Sequence, residues 1–384
     1  MSLFQRAILT LDAELSTSLK PSTNNYLLTA DFDYFLPTEL IAQVPAPRRD
    51  ASRLLVFQRP GGQIQHCRFP DLAELLKPGD VLVLNDSRVI PARLRGMNSR
   101  TGGQFEILLV EENSTNDWWA MMRPGKRARV GTRIEIRNLR GKNSGQHAVV
   151  TGTNAEGHRR VVFEGTADII GELPALGEIP LPPYINRTGP ANREEDRLRY
   201  QTVYADSAGS IAAPTAGLHF TEELLQRLQQ RSVGVARVTL HVGPGTFAPV
   251  KSETIQGHTM HEERYRLPAE TVGQIETARA AGGRVVAVGT TTLRTLESVA
   301  AANSGRLVPG AGRTGLFIYP PGTFHYVDAL LTNFHLPKST LLMLVCAFAS
   351  PGSVEGRERM LAAYAEAVRE HYRFFSYGDA MLIL

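Results

Sequence analysis

The chain has 384 residues, 42% hydrophobic and 21% charged, with a formal net charge of +4. That is long enough for two domains with real cores, ordinary in composition, and modestly charged for a nucleic-acid binder. The two cysteines, Cys67 and Cys346, lie far apart without metal-ligand spacing, which excludes a disulfide framework and makes a reducing cytoplasm the expected compartment. The longest apolar run, 341–349, is far short of the roughly 20 residues that span a bilayer, so no membrane is expected.

Residues 1–25 carry Asp12 and Glu14 and no apolar core ending in a cleavage site. They are not read as a signal peptide; a poorly ordered extension is expected instead. A compact start follows: Phe32-Asp-Tyr-Phe-Leu-Pro37, a short helix through Leu40 and Ile41, Pro45 and Pro47, and a strand over 54–57. A helix is expected over 71–76, and the continuous apolar run 81–84 reads as a buried strand. At its end stand Asn85, Asp86, Ser87 and Arg88, which either close a polar turn or belong to a site.

From Pro91 to about Gly165 the pattern changes. Short strands are expected at 92–96, 104–110, 118–122, 133–137, 148–152 and 160–164, with Gly-rich or polar turns between them and no convincing helix. Such spacing suggests a small closed barrel or sandwich, inserted into a chain that looks α/β on either side. Residues 91–177 hold 13 Lys/Arg against 9 Asp/Glu, so the whole net charge resides there. Much of the excess runs through Arg123, Lys126, Arg127, Arg129 and Arg133 to Arg140. It is either a solvated loop rim or a contact for RNA phosphates.

The α/β pattern resumes with a Pro-rich connector over 179–185, a charged stretch over 193–199, and Tyr200-Gln-Thr-Val-Tyr204. Residues 209–220 have almost no charge and no clear period, yet hold Pro214, Thr215, Gly217 and His219. A loop so poor in solvating side chains packs against a ligand or the protein itself. Gly217 permits close backbone approach to a ligand, which places His219 at a reaction centre and not in the core. Thr221 is expected to cap a helix whose first turn carries Glu222 and Glu223. In the next strand Ala236, Val238, Leu240 and Val242 face one way, and Arg237, Thr239 and His241 the other. His241 therefore stands on the polar side at the carboxyl end, where open α/β folds place ligands. Gly243-Pro-Gly245 is read as a tight turn, since Phe247-Ala-Pro249 follows where a dinucleotide-binding helix should begin.

His258 and His261, at i and i+3 with Glu262, offer metal-ligand side chains. The His-Glu-x-x-His order is absent and no third ligand announces itself, so hydrogen bonding to a substrate or to backbone fits better. A buried strand over 283–289 leads into Thr290, Thr291 and Thr292, whose backbone N–H groups and hydroxyls suit an anion or ordinary N-capping. Asn333, His335 and Lys338 are expected in one loop, with Ser339 capping an apolar helix. An amphipathic helix through Leu361, Tyr364, Ala365 and Val368 and a closing strand end the chain.

Taken together, the motifs resemble the S-adenosylmethionine:tRNA ribosyltransferase-isomerase family of queuosine biosynthesis. They are Asp33-Tyr-x-Leu-Pro, Ser52-Arg-Leu-Leu, Leu84-Asn-Asp-Ser-Arg-Val-Ile-Pro-Ala-Arg93, Pro180-Leu-Pro-Pro-Tyr-Ile and Tyr200-Gln-Thr-Val-Tyr. Further on come Ala213-Pro-Thr-Ala-Gly-Leu-His-Phe220, Thr239-Leu-His-Val-Gly-x-Gly-Thr-Phe, Ala287-Val-Gly-Thr-Thr, Leu331-Thr-Asn-Phe-His-Leu-Pro-x-Ser-Thr-Leu and Tyr372-Arg-Phe-Phe-Ser-Tyr-Gly-Asp-Ala-Met. They run in order from about Asp31 to the C-terminus. Residues 1–25 depart from the pattern, and Phe35 stands where an acidic residue is common.

The resemblance implies an α/β fold: an α/β-barrel-like main domain over 26–90 and 178–384, with a small all-β barrel inserted over 91–177. It implies that the ribosyl carbons of S-adenosylmethionine move onto 7-aminomethyl-7-deazaguanine at the tRNA wobble position. They rearrange to an epoxycyclopentanediol, and adenine and methionine leave. S-adenosylmethionine is then a consumed co-substrate, with no metal or redox cofactor, and the partner is the anticodon loop of tRNA; a monomer is expected. His219, His241, Asp86 and His335 are the expected catalytic set, with the base among them left open. Pro214, Thr215, Ala216, Gly217, Phe220, Gly243, Thr246, Phe247, Gly289, Thr290, Thr291 and Asn333 are expected around the co-substrate. Arg88, Arg199, Gln201, His258, His261, Glu262, Lys338, Arg123, Lys126 and Arg127 are expected toward the tRNA. Two other classes stay open. An RNA methyltransferase would want a Gly-rich turn opening a helix, and a non-catalytic RNA-binding barrel would leave the polar loops unexplained.

Overall fold

The runs Val81–Asn85, Val285–Val288 and Ala329–Asn333 are buried at every position, so each needs cover on both faces. Described in a computed structural model, residues 27–187, 193–243, 245 and 250–384 supply that cover. The expectations for residues 1–25, Thr246 and Phe247 fall outside the described residues. The three runs are central strands of one nine-stranded mixed sheet, in the order Gly310–Thr314, Glu263–Leu267, Gly234–Leu240, Val81–Asn85, Val285–Val288, Ala329–Asn333, Ala380–Ile383, Arg53–Phe57, Ile64–Arg68. Gly234–Leu240, Val81–Asn85, Val285–Val288 and Ala329–Asn333 are mutually parallel neighbours, so their carboxyl ends share one edge.

Alternation decides which layer each side chain enters. Val81, Val83, Val285, Ala287 and Leu330 meet the helices Ala269–Ala280, Thr290–Ala302, Thr340–Ala349 and Gly356–Arg369. Leu82, Leu84, Val286, Val288 and Leu331 face the opposite layer, where Phe69, Leu72, Phe220, Leu224 and Leu228 cover them. The helix starts follow ordinary capping: Thr221 Oγ1 accepts from Leu224 N at 3.2 Å, and Ser339 Oγ from Leu342 N at 3.2 Å. The threonines at 290–292 do not cap. Gly289 holds the N-cap position at φ 86, and Thr292 Oγ1 instead donates back to Val288 O.

The expected strands between 92 and 164 form a closed antiparallel barrel of six strands: Arg93–Asn98, Gln104–Ser114, Asp117–Arg123, Arg133–Arg137, Asn143–Thr153 and Arg159–Glu164. Leu94, Ile107, Trp118, Ile134, Val150 and Val161 fill it. The helix Ile169–Leu176, which the pattern did not announce, adds Ile169, Leu173 and Leu176 to the same core. Entry and exit are clasped: Arg93 N donates to Glu178 O at 3.1 Å, and Glu178 N to Arg93 O at 2.9 Å. Gly177 is required here because a Cβ would collide with Pro91 O. The mixed α/β class with an inserted all-β barrel is therefore what the chain adopts. Among the described residues closure by strand pairing is confined to the smaller barrel, and the main domain's strands lie in the mixed sheet and in a two-stranded parallel sheet of Ser87–Val89 and Ser207–Ser210. Arg313 joins the two parts, pairing with Glu111 of the barrel at 2.7 Å and Glu262 at 2.9 Å.

Candidate active site

The carboxyl ends of the four parallel strands deliver Asn85–Asp86, His241–Val242, Gly289–Thr290 and Asn333–His335 to one edge. Open α/β sheets bind ligands at such an edge. A cavity of about 90 Å³ lies there. Its walls bring together Pro214, Thr215 and Ala216 from the uncharged loop, Gly289, Thr290 and Thr291 from a helix start, and Asn333 and His335. These eight expected site residues, separated by more than a hundred positions in sequence, meet in space. Tyr184, Ser376 and Arg294 also line it, and none of these three was among the expected site residues.

Asn333 is the last residue of its strand, not part of a loop, and organises one wall. Its Oδ1 accepts from Thr215 Oγ1 at 2.8 Å, and its Nδ2 points to Phe375 O at 3.4 Å and His219 Nε2 at 3.2 Å. An amide nitrogen can only donate, so Nε2 is the unprotonated ring nitrogen and Nδ1 carries the proton. That Nδ1–H donates to Ser52 Oγ at 2.8 Å. His219 is 4% exposed, with its ring centroid 5.0 Å from that of Phe69. Burial, followed by the nearby Arg373 and Arg49 guanidiniums, lowers its pKa to about 3, so the ring stays neutral. It is not in the cavity wall and reaches it only through Asn333.

His335 does line the cavity. Its Nε2 is 2.8 Å from Thr332 Oγ1, its N–H donates to Tyr364 Oη at 3.0 Å, and its carbonyl accepts from Tyr34 Oη at 2.5 Å. Burial lowers its pKa to about 3. Both imidazoles are thus neutral, and of the two only His335 faces the cavity.

Asp86 and His241 stand beside the cavity and not in its wall. Asp86 accepts from Thr239 Oγ1 at 2.7 Å, and burial raises its pKa. His241 packs so closely on Gly209 that a Cβ there would sit 3.0 Å from Nδ1. That Nδ1 is buried without a partner, and burial lowers the ring's pKa. Gly243 N donates to Glu263 Oε1 at 3.0 Å, tying down the turn after the strand.

Several expected ligand contacts are spent on the protein itself. Gln201 Oε1 accepts from Val89 N at 2.9 Å and its Nε2 donates to Val89 O at 3.1 Å, which uses both ends of the amide. Arg199 donates to Ala46 O at 2.5 Å and Pro47 O at 3.3 Å. What approaches Gly217 is no ligand: a Cβ would collide with Tyr204 Oη and lie 2.8 Å from Thr202 Cγ2. Phe220 is fully buried against Phe69 and Tyr204. Lys338 pairs with Asp33 at 2.7 Å, Glu262 with Arg313, and Arg88 holds Ala205 O at 2.6 Å. His258 sits against Phe317, and His261 lies 3.6 Å from Glu156 of the barrel. Among the described residues no group of three or more His, Cys, Asp or Glu is placed to hold a metal ion. Nor is any of their helices long and apolar enough to cross a membrane.

The basic run behaves differently. Arg123, Lys126, Arg127 and Arg129 are exposed around the turn Gly125–Arg127. Arg159 pins that turn through Ala128 O at 2.7 Å and Gly125 O at 2.9 Å. Arg123 also lines a cleft of about 670 Å³ between the barrel and the Pro-rich connector, together with Arg93, Arg95, Arg187 and Arg197.

The sequence profile of the family described as "Queuosine biosynthesis protein" matches residues 29–383. A protein of Trichlorobacter lovleyi named S-adenosylmethionine:tRNA ribosyltransferase-isomerase is 49% identical over 358 residues, covering 93% of this chain and all of that protein. The crystal structure of S-adenosylmethionine tRNA ribosyltransferase from Thermotoga maritima is 41% identical, with a TM-score of 0.52 over 92% of this chain and all of that one. With a family match over residues 29–383 and these two relatives over more than nine-tenths of its length, the chain is an enzyme of the S-adenosylmethionine:tRNA ribosyltransferase-isomerase family of queuosine biosynthesis.

Proposed function

We propose that the enzyme transfers the ribosyl carbons of S-adenosylmethionine to 7-aminomethyl-7-deazaguanine at the wobble position of tRNA and isomerises them to the epoxycyclopentanediol, giving epoxyqueuosine-tRNA. Adenine and methionine are released, and the protein works as a cytoplasmic monomer with no metal or redox cofactor. The observation that carries this reading is the strand-end cavity, where a neutral imidazole, an ordered amide–hydroxyl pair and a helix start converge. The sulfonium acidifies the adjacent ribose C5′–H, so a neutral acceptor suffices to begin. His335, the imidazole in the wall, takes that role. Asn333 and Thr215 orient the co-substrate, with His219 and Ser52 fixing Asn333 from behind. Methionine leaves with the C–S electron pair, and the departing adenine needs a proton.

Asp86 and the unpartnered His241 Nδ1, just outside the wall, are left for the incoming base. The tRNA backbone is given to the arginine-lined cleft and the exposed turn at Lys126 and Arg127. The decisive assay incubates the enzyme with S-adenosylmethionine and tRNA carrying the aminomethyl-deazaguanine base. Adenine and methionine should appear together, one of each per modified tRNA. S-adenosylhomocysteine in place of adenine would make the enzyme a methyltransferase, and no turnover would make it a binding protein.

A further inference from the structure

Arg294 lies one turn into the helix Thr290–Ala302 and is 4% exposed. Two parts of its guanidinium are occupied: Nε donates to Leu316 O at 3.1 Å, and Nη1 donates to Glu263 Oε2 at 2.5 Å. Glu263, 6% exposed, is itself held by Gly243 N, so the pair is fixed on both sides. The other fork nitrogen, Nη2, is buried with no partner, and Arg294 lines the strand-end cavity. A buried guanidinium nitrogen left without an acceptor is costly, which points to an acceptor that comes and goes.

The helix start beside it points the same way. Its first-turn N–H groups have no intrahelical acceptor. No acidic residue stands in that first turn, and no side chain caps it. The positive end of the helix and a free guanidinium nitrogen therefore act on one small space. A cavity of about 90 Å³ is too small for a whole nucleoside-sized ligand, for which several hundred Å³ is usual. It can take one end of such a molecule. A tRNA phosphate, continued by chain on both sides, does not fit into it.

We propose that Arg294 Nη2 and the amides at Thr290 and Thr291 receive the α-carboxylate of the methionine end of S-adenosylmethionine, and so set which way round the co-substrate lies. Of the groups on that molecule only the carboxylate is anionic, and planar carboxylate matches the guanidinium fork. The ion pair with Glu263 keeps Arg294 in place when the cavity is empty and again after methionine departs. The inference rests on the ribosyl-transfer reading, because only that reaction leaves methionine to be held and then released.

The test compares S-adenosylmethionine with its decarboxylated analogue, which keeps the sulfonium and the adenosine, by adenine release in the presence of modified tRNA. The wild-type kcat/KM should be at least about tenfold lower for the analogue, as expected for loss of one charged hydrogen-bonding group. Arg294→Lys keeps a cation for Glu263 but lacks the second arm of the fork. It should lower kcat/KM for S-adenosylmethionine by about ten- to a hundredfold and that for the analogue by less than about threefold. Equal use of both compounds by the wild type would overturn the assignment without relying on any variant. Equal losses on both compounds in Arg294→Lys would also overturn it, since the arginine would then serve the fold or another part of the ligand. No adenine from S-adenosylmethionine itself would instead end the ribosyl-transfer reading, and this inference with it.

Discussion

Asn333 Nδ2 lies 3.2 Å from Nε2 of His219, so the last residue of a central strand fixes the tautomer of a buried histidine more than a hundred residues away. On the other side of the ring Ser52 completes the relay. On the proposed reading His219 positions Asn333, and its removal should disturb both fold and turnover. His219→Ala should cost about 2–4 kcal/mol of stability, from the cavity and two orphaned polar groups. Asn333→Ala, which leaves the ring in place, should lower kcat by about ten- to a hundredfold without moving the pH profile, because a ring with pKa about 3 does not titrate in the working range. A profile that loses one limb in Asn333→Ala would show that His219 exchanges protons with the substrate.

The two neutral histidines also predict an acid sensitivity. His219 and His335 have folded pKa values of about 3, against about 6.5 in the unfolded chain. Between these limits the unfolded chain binds protons that the folded one refuses, so stability is present at neutral pH and is lost as the pH falls. Each ring should contribute a slope of about 1.4 kcal/mol per pH unit over roughly pH 6 to 4.5. Denaturant melts of wild type and His335→Gln across that range should differ in slope by about that amount. Parallel curves would mean that the His335 ring is charged in the folded protein.

Gly217 makes a packing prediction. A Cβ at this position meets the Tyr204 hydroxyl and Thr202 Cγ2. Gly217→Ala should lower stability by about 1–3 kcal/mol, as overpacking does. Adding Tyr204→Phe should restore part of it, since the nearest colliding atom is then gone. Failure of the double variant to recover any thermal stability would place the constraint in the backbone and not in the tyrosine.

The pinned basic turn predicts a salt effect. Lys126→Gln with Arg127→Gln should weaken tRNA binding and lower the slope of log K against log salt by about 1–2 units. Half-saturation by S-adenosylmethionine should stay where it was. Unchanged tRNA affinity at low salt would leave these side chains a solvated rim.

Much of this enzyme was legible from local pattern. The buried strand at 81–85 carries the continuous apolar run 81–84, and Thr221 and Ser339 sit where caps belong. The six barrel strands were separated by their turns. Each of these depends on residues near one another in the chain, so period and capping chemistry suffice to read them. Residues 214–216, the helix start at 289–291 and the pair Asn333 and His335 were also picked out, the first from a loop too poor in charge to be solvated and the others from polar groups following strands.

What only the tertiary structure decided is where each polar side chain spends its hydrogen bonds. Gln201 and Arg199 looked free and are committed to Val89, Ala46 and Pro47. Gly217 looked open to a ligand and is filled by Tyr204, while His219 looked exposed to the reaction and is enclosed by Ser52, Phe69 and Asn333. Arg294 looked like any arginine inside a helix, yet one nitrogen of its fork stands buried and unpaired at the cavity. The partners of Gln201, Arg199 and His219 are remote in the chain. A side chain's hydrogen-bonding capacity is written in its type, but its remaining capacity depends on neighbours that only the packing of the sheet and its loops brings within about 3 Å.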